Sequence, residues 1–162
     1  MSETLVVIEW ERLAKWNDVF EKKDEKEDYG LYQITGYHPV FGDDSLLYIG
    51  IAQEQTFSKR FSQHKNWLNE EYGIEVYVGY IKSIADKENF RESAWEVILK
   101  DAEALLVYFH SPPYNSQHIS EMPGLERNPR IINTGDYGDL YPEISYEGLK
   151  LDKKHQHPKR TN

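Results

Sequence analysis

A glutamate set in an apolar run, an arginine and a histidine one helical turn apart, and two tyrosines close to glycines are the side chains of this 162-residue chain best equipped for chemistry. Glu103 stands between Ala102 and Ala104, just ahead of Leu105–Leu106–Val107–Tyr108–Phe109. A carboxylate there gains little from solvent and needs a partner, either a basic side chain or a cation. Arg60 and His64 are four residues apart, hence on one face of a helix. Tyr32 and Tyr48 lie in the runs Gly30–Leu31–Tyr32 and Leu46–Leu47–Tyr48–Ile49–Gly50. The glycines are expected to leave open space beside the rings, through which a substrate can approach closely. The chain has no cysteine, which excludes disulfides, thiolate metal sites and cysteine nucleophiles together. His110 and His118 lack acidic or histidine companions at ligand spacing, so no zinc site is expected.

The elements that must position these side chains follow from periodicity. In residues 5–20, Trp10, Leu13, Trp16 and Phe20 recur at helical spacing and predict an N-terminal helix that lays aromatics on the core. Residues 21–28, EKKDEKED, read as a solvated connector, so that 1–28 form one N-terminal unit. The two tyrosine runs read as strands, pairing antiparallel across a loop of roughly ten residues that contains the turn signal Gly42–Asp43–Asp44. Residues 56–68 predict a helix burying Phe57, Phe61 and Leu68, with Arg60 and His64 on a neighbouring face, and 74–84 predict a third strand. The longest helical pattern spans 88–109, with a core stripe of Ala94, Ile98, Ala102, Leu105 and Phe109. Glu103 shares another face with Glu92, Glu96 and Leu99; Glu92 and Glu96 read as solvated charges. Pro112–Pro113 stops this helix, and Asn115 behind it either fixes backbone near the site or makes a plain turn. Residues 117–149, rich in turn signals, read as an extension packed on the same domain.

Composition sets the outer limits. A hydrophobic fraction of 39% with 14% aromatics describes a folded domain rather than a disordered chain. There is no apolar run of about 18 residues and no signal-peptide pattern, so neither a membrane span nor secretion is expected, and a cytoplasmic address fits. A net charge of −9 gives no global attraction to phosphate. The charge is uneven, however. Residues 150–162 carry five Lys and Arg against one Asp, a local +4 that leaves −13 on residues 1–149. This basic tail reads either as a solvated, disordered terminus or as a phosphate contact through Lys153 and Lys154.

Together the motifs resemble the GIY-YIG nuclease superfamily: the first reads GLY, the second YIG, and Arg60–Phe61–Ser62–Gln63–His64 fits R-x-x-x-H. The resemblance covers about residues 29–116 and implies an α+β fold with a small, mostly antiparallel β-sheet flanked by helices. It also implies an endonuclease that hydrolyses phosphodiester bonds in DNA with one divalent ion, Mg²⁺ or Mn²⁺, on Glu103. In that reading Arg60 contacts the scissile phosphate with Lys59 nearby, Tyr32 is the general base, Tyr48 positions water or phosphate, and Asn115 occupies the family's later asparagine. A phenol titrates near pH 10, so a base role requires Arg60, the metal or His64 to favour the phenolate. Relatives carry a lysine or a small polar residue after YIG; here it is Ile51, so proton handling falls to Lys59 or His64. The acidic body and Ile51 keep a second reading open, a catalytically silent nucleic-acid-binding or protein-interaction module. A third reading makes the tyrosines and Glu103 plain core and ion-pair residues.

Overall fold

The computed structural model describes residues 3–64, 68, 72–86, 95–125 and 127–148. They form a mixed α/β unit built on a six-stranded sheet. The strands are β1 (Glu3–Arg12), β2 (Gly30–His38), β3 (Gly42–Ala52), β4 (Glu75–Asp86), β5 (Asn128–Gly135) and β6 (Glu143–Ser145). A 3-10 helix covers Trp16–Glu21, α1 covers Phe57–Ser62, and α2 covers Trp95–His110. The sheet order is β3-β2-β4-β1-β5-β6. Every neighbouring pair is antiparallel except β1 and β5, which run parallel.

The N-terminal helix expected over 5–20 is not formed. Thr4, Val6, Ile8 and Trp10 are buried in strict alternation, the period of a strand. That period prevails because β4 and β5 flank β1 and satisfy its backbone on both edges. The helical spacing of Leu13, Trp16 and Phe20 is realised only as the short 3-10 turn. Trp10 is a core residue as expected, but from the sheet: its ring lies over Gly79, and its Nε1–H donates to Asn133 Oδ1 at 2.9 Å.

The tyrosine strands pair antiparallel, with Tyr32 opposite Gly50 and Ile34 opposite Tyr48. The long loop expected between them is also corrected. β2 runs on to His38 and β3 starts at Gly42, so the link is residues 39–41. His38 Nδ1 accepts the N–H groups of Val40 (3.1 Å) and Phe41 (3.2 Å), a side-chain cap that lets the strands continue further. β4 falls where the third strand was read, and β5 and β6 extend the sheet beyond β1 from the segment after α2.

One sheet face, with Val6, Ile8, Trp10, Leu31, Ile49 and Ile131, packs against Ile98, Leu99, Ala102, Leu105 and Leu106 of α2. The other, with Tyr32, Ile34, Val76 and Val78, packs against Phe57 and Phe61 of α1 and Val19 of the 3-10 helix. β2 is thus buried from Gly30 to Gly36. α1 is shorter than its sequence pattern, although Phe57, Phe61 and Leu68 are buried as that pattern predicts. Glu92, Ala94, Lys153, Lys154 and the tail 150–162 lie outside the described residues. Among the described residues no helix is long and apolar enough to cross a membrane.

A Cβ built on Gly79 would stand 2.8 Å from the Trp10 ring, which is buried and tied to Asn133. Gly79→Ala is expected to lose about 1–3 kcal/mol of unfolding free energy by overpacking. Urea unfolding followed by tryptophan fluorescence measures it, and a loss under about 0.5 kcal/mol would mean that the ring yields freely.

Candidate active site

The site forms at the β3 edge of the sheet, where side chains from both faces meet. Tyr48 and Gly50 point to the α1 side of β3, and Ile49 points to the α2 side. Asn115, just past α2, bonds both backbone groups of Ile49: its Oδ1 accepts from Ile49 N at 3.0 Å and its Nδ2 donates to Ile49 O at 2.8 Å. Tyr114 N donates to Leu47 O beside it. Asn115 thus fixes the backbone of Ile49, and its own N–H also closes a turn onto Pro112 O at 3.2 Å. The chain reaches this position because Ser111 ends α2 in the left-handed region (φ 46°) ahead of the two prolines.

A cleft of about 230 Å³ opens beside this junction. Tyr48, Arg60, Glu103, Asn115 and His118 line it, with Val107 as its apolar wall. Four of the residues singled out in the sequence are thus gathered from β3, α1, α2 and the segment after α2.

Tyr32 and His64 stand behind the cleft. The Tyr32 ring is fully buried, stacked on Tyr48 at 5.9 Å and edge-on to Phe61 at 4.7 Å. Its hydroxyl lies 2.7 Å from His64 Nε2, and the His64 ring packs on Tyr48 with centroids 5.2 Å apart. The space over Gly50, expected to admit substrate, is filled by these rings: a Cβ there would meet Tyr32 Oη at 2.6 Å and Tyr48 Cε1 at 2.7 Å. Gly30 (φ 143°) is needed for contact with its own sheet, since a Cβ would fall 2.4 Å from the Gly79 carbonyl oxygen. These glycines serve tyrosine packing and strand approach, not open access.

Burial sets the protonation states. It pushes the Tyr32 phenol well above its ordinary range, helped by Tyr48 and opposed by Arg60. Burial, and then the Arg60 charge, lower His64 to about 4, so the imidazole is neutral at pH 7. Tyr32 O–H therefore donates to the Nε2 lone pair, an assignment that leaves the imidazole proton on Nδ1. Burial also raises Glu103 to about 7, with Arg60 pulling the other way. Arg60 itself stays a firm cation, because Tyr32 and Tyr48 outweigh its own desolvation. Its Nη1 donates to Gln63 Oε1 at 2.5 Å.

The other expected contacts separate from this group. Lys59 lines a different cleft of about 700 Å³, where Lys23, Lys26 and Lys59 face Glu25, Glu54 and Glu96. It does not line the cleft of Tyr48, and of the two candidates His64 is the one in contact with Tyr32. His118, weighed in the sequence only as a zinc ligand and set aside, is the further residue on the cleft. Its position depends on a loop held at φ 63°, and no periodicity encodes that.

Among the described residues no group of three or more Asp, Glu or His side chains is placed to hold a metal ion. An ion on Glu103 would rest on this one hard oxygen donor and water, a donor set that suits Mg²⁺. The raised Glu103 pKa fits as well, since a half-buried carboxylate beside one guanidinium is short of positive charge. No protein-family model, curated protein or solved structure matches the chain.

Glu103 carries a pH signature. Below its ordinary value of 4.5 both folded and unfolded chains hold the proton. Between 4.5 and about 7 the unfolded chain releases it while the folded chain retains it, so this group lowers stability as pH rises through that window. Glu103→Gln removes the effect. With EDTA present, the variant is expected to gain on the parent between pH 4.5 and pH 8 by on the order of 1–3 kcal/mol in urea unfolding. A pH-independent difference would show that Glu103 titrates normally.

Proposed function

We propose that the chain is a metal-dependent endonuclease of the GIY-YIG type that hydrolyses phosphodiester bonds in DNA. The observation that carries this reading is the convergence of Tyr48, Arg60, Glu103 and Asn115 on one cleft, backed by Tyr32 and His64. Unrelated core and ion-pair residues have no reason to gather so, and the convergence disfavours the purely structural reading. The mostly antiparallel sheet with helices on both faces supports the same assignment.

In this mechanism the Arg60 guanidinium holds the scissile phosphate and meets the charge that grows on its oxygens. Glu103 holds Mg²⁺ or Mn²⁺, which when bound supplies Lewis-acid stabilisation of that charge. Tyr48, the phenol that lines the cleft, orients the attacking water and receives its proton. Tyr32, fully buried, touches no substrate and acts through Tyr48. As Tyr48 takes the proton of the water it gives its own to Tyr32, and Tyr32 gives its own to His64 Nε2, which is unprotonated at pH 7 and already accepts the Tyr32 hydrogen bond. Asn115 fixes the backbone between Tyr48 and Gly50 and so the direction of the Tyr48 ring.

The competing reading is a nucleic-acid-binding module without activity, and the net charge of −9 with Ile51 after the second motif favours it. Nicking of supercoiled plasmid separates the two. The parent is expected to nick with Mg²⁺ and to stop with EDTA, while Glu103→Ala and Arg60→Ala each lower the rate by about 10²–10³-fold with the fold retained. A folded parent that binds plasmid without nicking it would establish the silent module instead.

A further inference from the structure

We propose that His118 is the general acid of the reaction, giving its proton to the departing ester oxygen. This inference rests on the nuclease reading above. The cleft walls come from β3, α1, α2 and the loop after Asn115, and their roles leave one function unfilled. Arg60 is a permanent cation and releases no proton at working pH. Glu103, when it holds a cation, has none to give. Tyr48 faces the attacking water and passes protons inward to Tyr32 and His64. His64 is half-buried, bonded to Tyr32 and neutral, on the accepting side. Asn115 has its carboxamide committed to the Ile49 backbone. Ser116 and Gln117 also line the cleft but neither is an acid near neutral pH. Among the residue types lining the cleft, histidine is the one suited to hand on a proton near neutral pH.

Its backbone is compatible with that role. His118 has φ 63°, a left-handed conformation that a β-carbon disfavours and that glycine adopts freely. The loop holds a histidine in it, with the residue exposed to solvent and on the cleft that also holds Arg60 and Glu103. Asp44, Glu54 and Ser111 share a positive φ away from the cleft, so it is the place of His118 on the cleft that singles it out.

The step balances. Water oxygen forms a bond to phosphorus as the opposite P–O ester bond breaks, and that bond's electron pair stays on the leaving oxygen. The oxygen takes the proton of the His118 imidazolium and departs as an alcohol. The water proton goes to the Tyr48 side, and His118, being exposed, is reprotonated from solvent. The groups facing His118 across the cleft are Tyr48 from β3, Arg60 from α1 and Glu103 from α2.

His118→Gly suits the test, because glycine fits φ 63° and removes the imidazole without straining the loop. With Mg²⁺ and supercoiled plasmid, the variant is expected to nick about 10²–10⁴-fold more slowly than the parent. Added imidazole should restore much of the rate, and the alkaline fall of the parent's pH–rate profile should be absent from the variant. A rate within about twofold of the parent overturns the proposal. A slow variant that imidazole does not rescue, with an unchanged pH profile, also overturns it, since His118 would then only position the loop. If the parent itself does not nick, the nuclease reading fails and this role fails with it.

Discussion

The pair of hydrogen bonds between the Asn115 carboxamide and the two backbone groups of Ile49 is the constraint on which the site depends. β3 is an edge strand, and an edge presents unpaired N–H and C=O groups that must find partners. Asn115 answers Ile49 as a neighbouring strand would, and Tyr114 N answers Leu47. Since both residues lie within five positions of the end of α2, closing the edge also fixes where that helix sits along β3. Ile49 is flanked by Tyr48 and Gly50, so the same contact fixes the direction of the Tyr48 ring. Glu103, two turns before the helix end, is carried to the edge as a result. A residue with an apolar side chain at 115 would leave two buried backbone groups unanswered, each costing about 1–3 kcal/mol.

A second constraint is electrostatic. Burial moves Tyr32, His64 and Glu103 each toward the neutral form, while Arg60 remains charged among them. At neutral pH the assembly therefore presents one fixed positive charge and several groups that resist acquiring charge. Such a cleft is poised for an anion at Arg60, and Glu103 ionises readily once further positive charge arrives. The Tyr32–His64 contact belongs to the same logic: each group is held in the one protonation state that lets the hydrogen bond form.

What the sequence disclosed and what it hid divide along physical lines. Local patterns survived: the alternation in 74–84, the apolar positions 57, 61 and 68, and the stripe through Ile98, Ala102 and Leu105 all lie where periodicity placed them. The oddity of Glu103 was also legible, because a carboxylate in an apolar run is anomalous at any level of description. Residues 5–20 misled because Trp10, Leu13, Trp16 and Phe20 fit a helical face while Val6, Ile8 and Trp10 fit a strand. Only the presence of β4 and β5 on either side, set by long-range pairing, decides between them. The 39–41 link was hidden for a different reason, since the His38 ring caps the turn that was read as loop. Spacing set His118 aside as a zinc ligand and could not place it on the cleft, whose other walls come from three other elements.

The acidic total is less of an obstacle to a phosphate-binding site than it first seems. Exposed charges separated by more than about 8 Å are largely screened at physiological salt, so most of the carboxylates do not act on the cleft. What acts there is Arg60, desolvated enough to be strong, and Glu103, whose negative charge burial suppresses near neutral pH. The larger cleft beside Lys59 supplies no net attraction, since its lysines face as many glutamates. On the proposed function, recruitment of an anionic polymer would rest on short-range contacts at the β3 edge rather than on a long-range field, and association would be slower than for a basic protein of the same size.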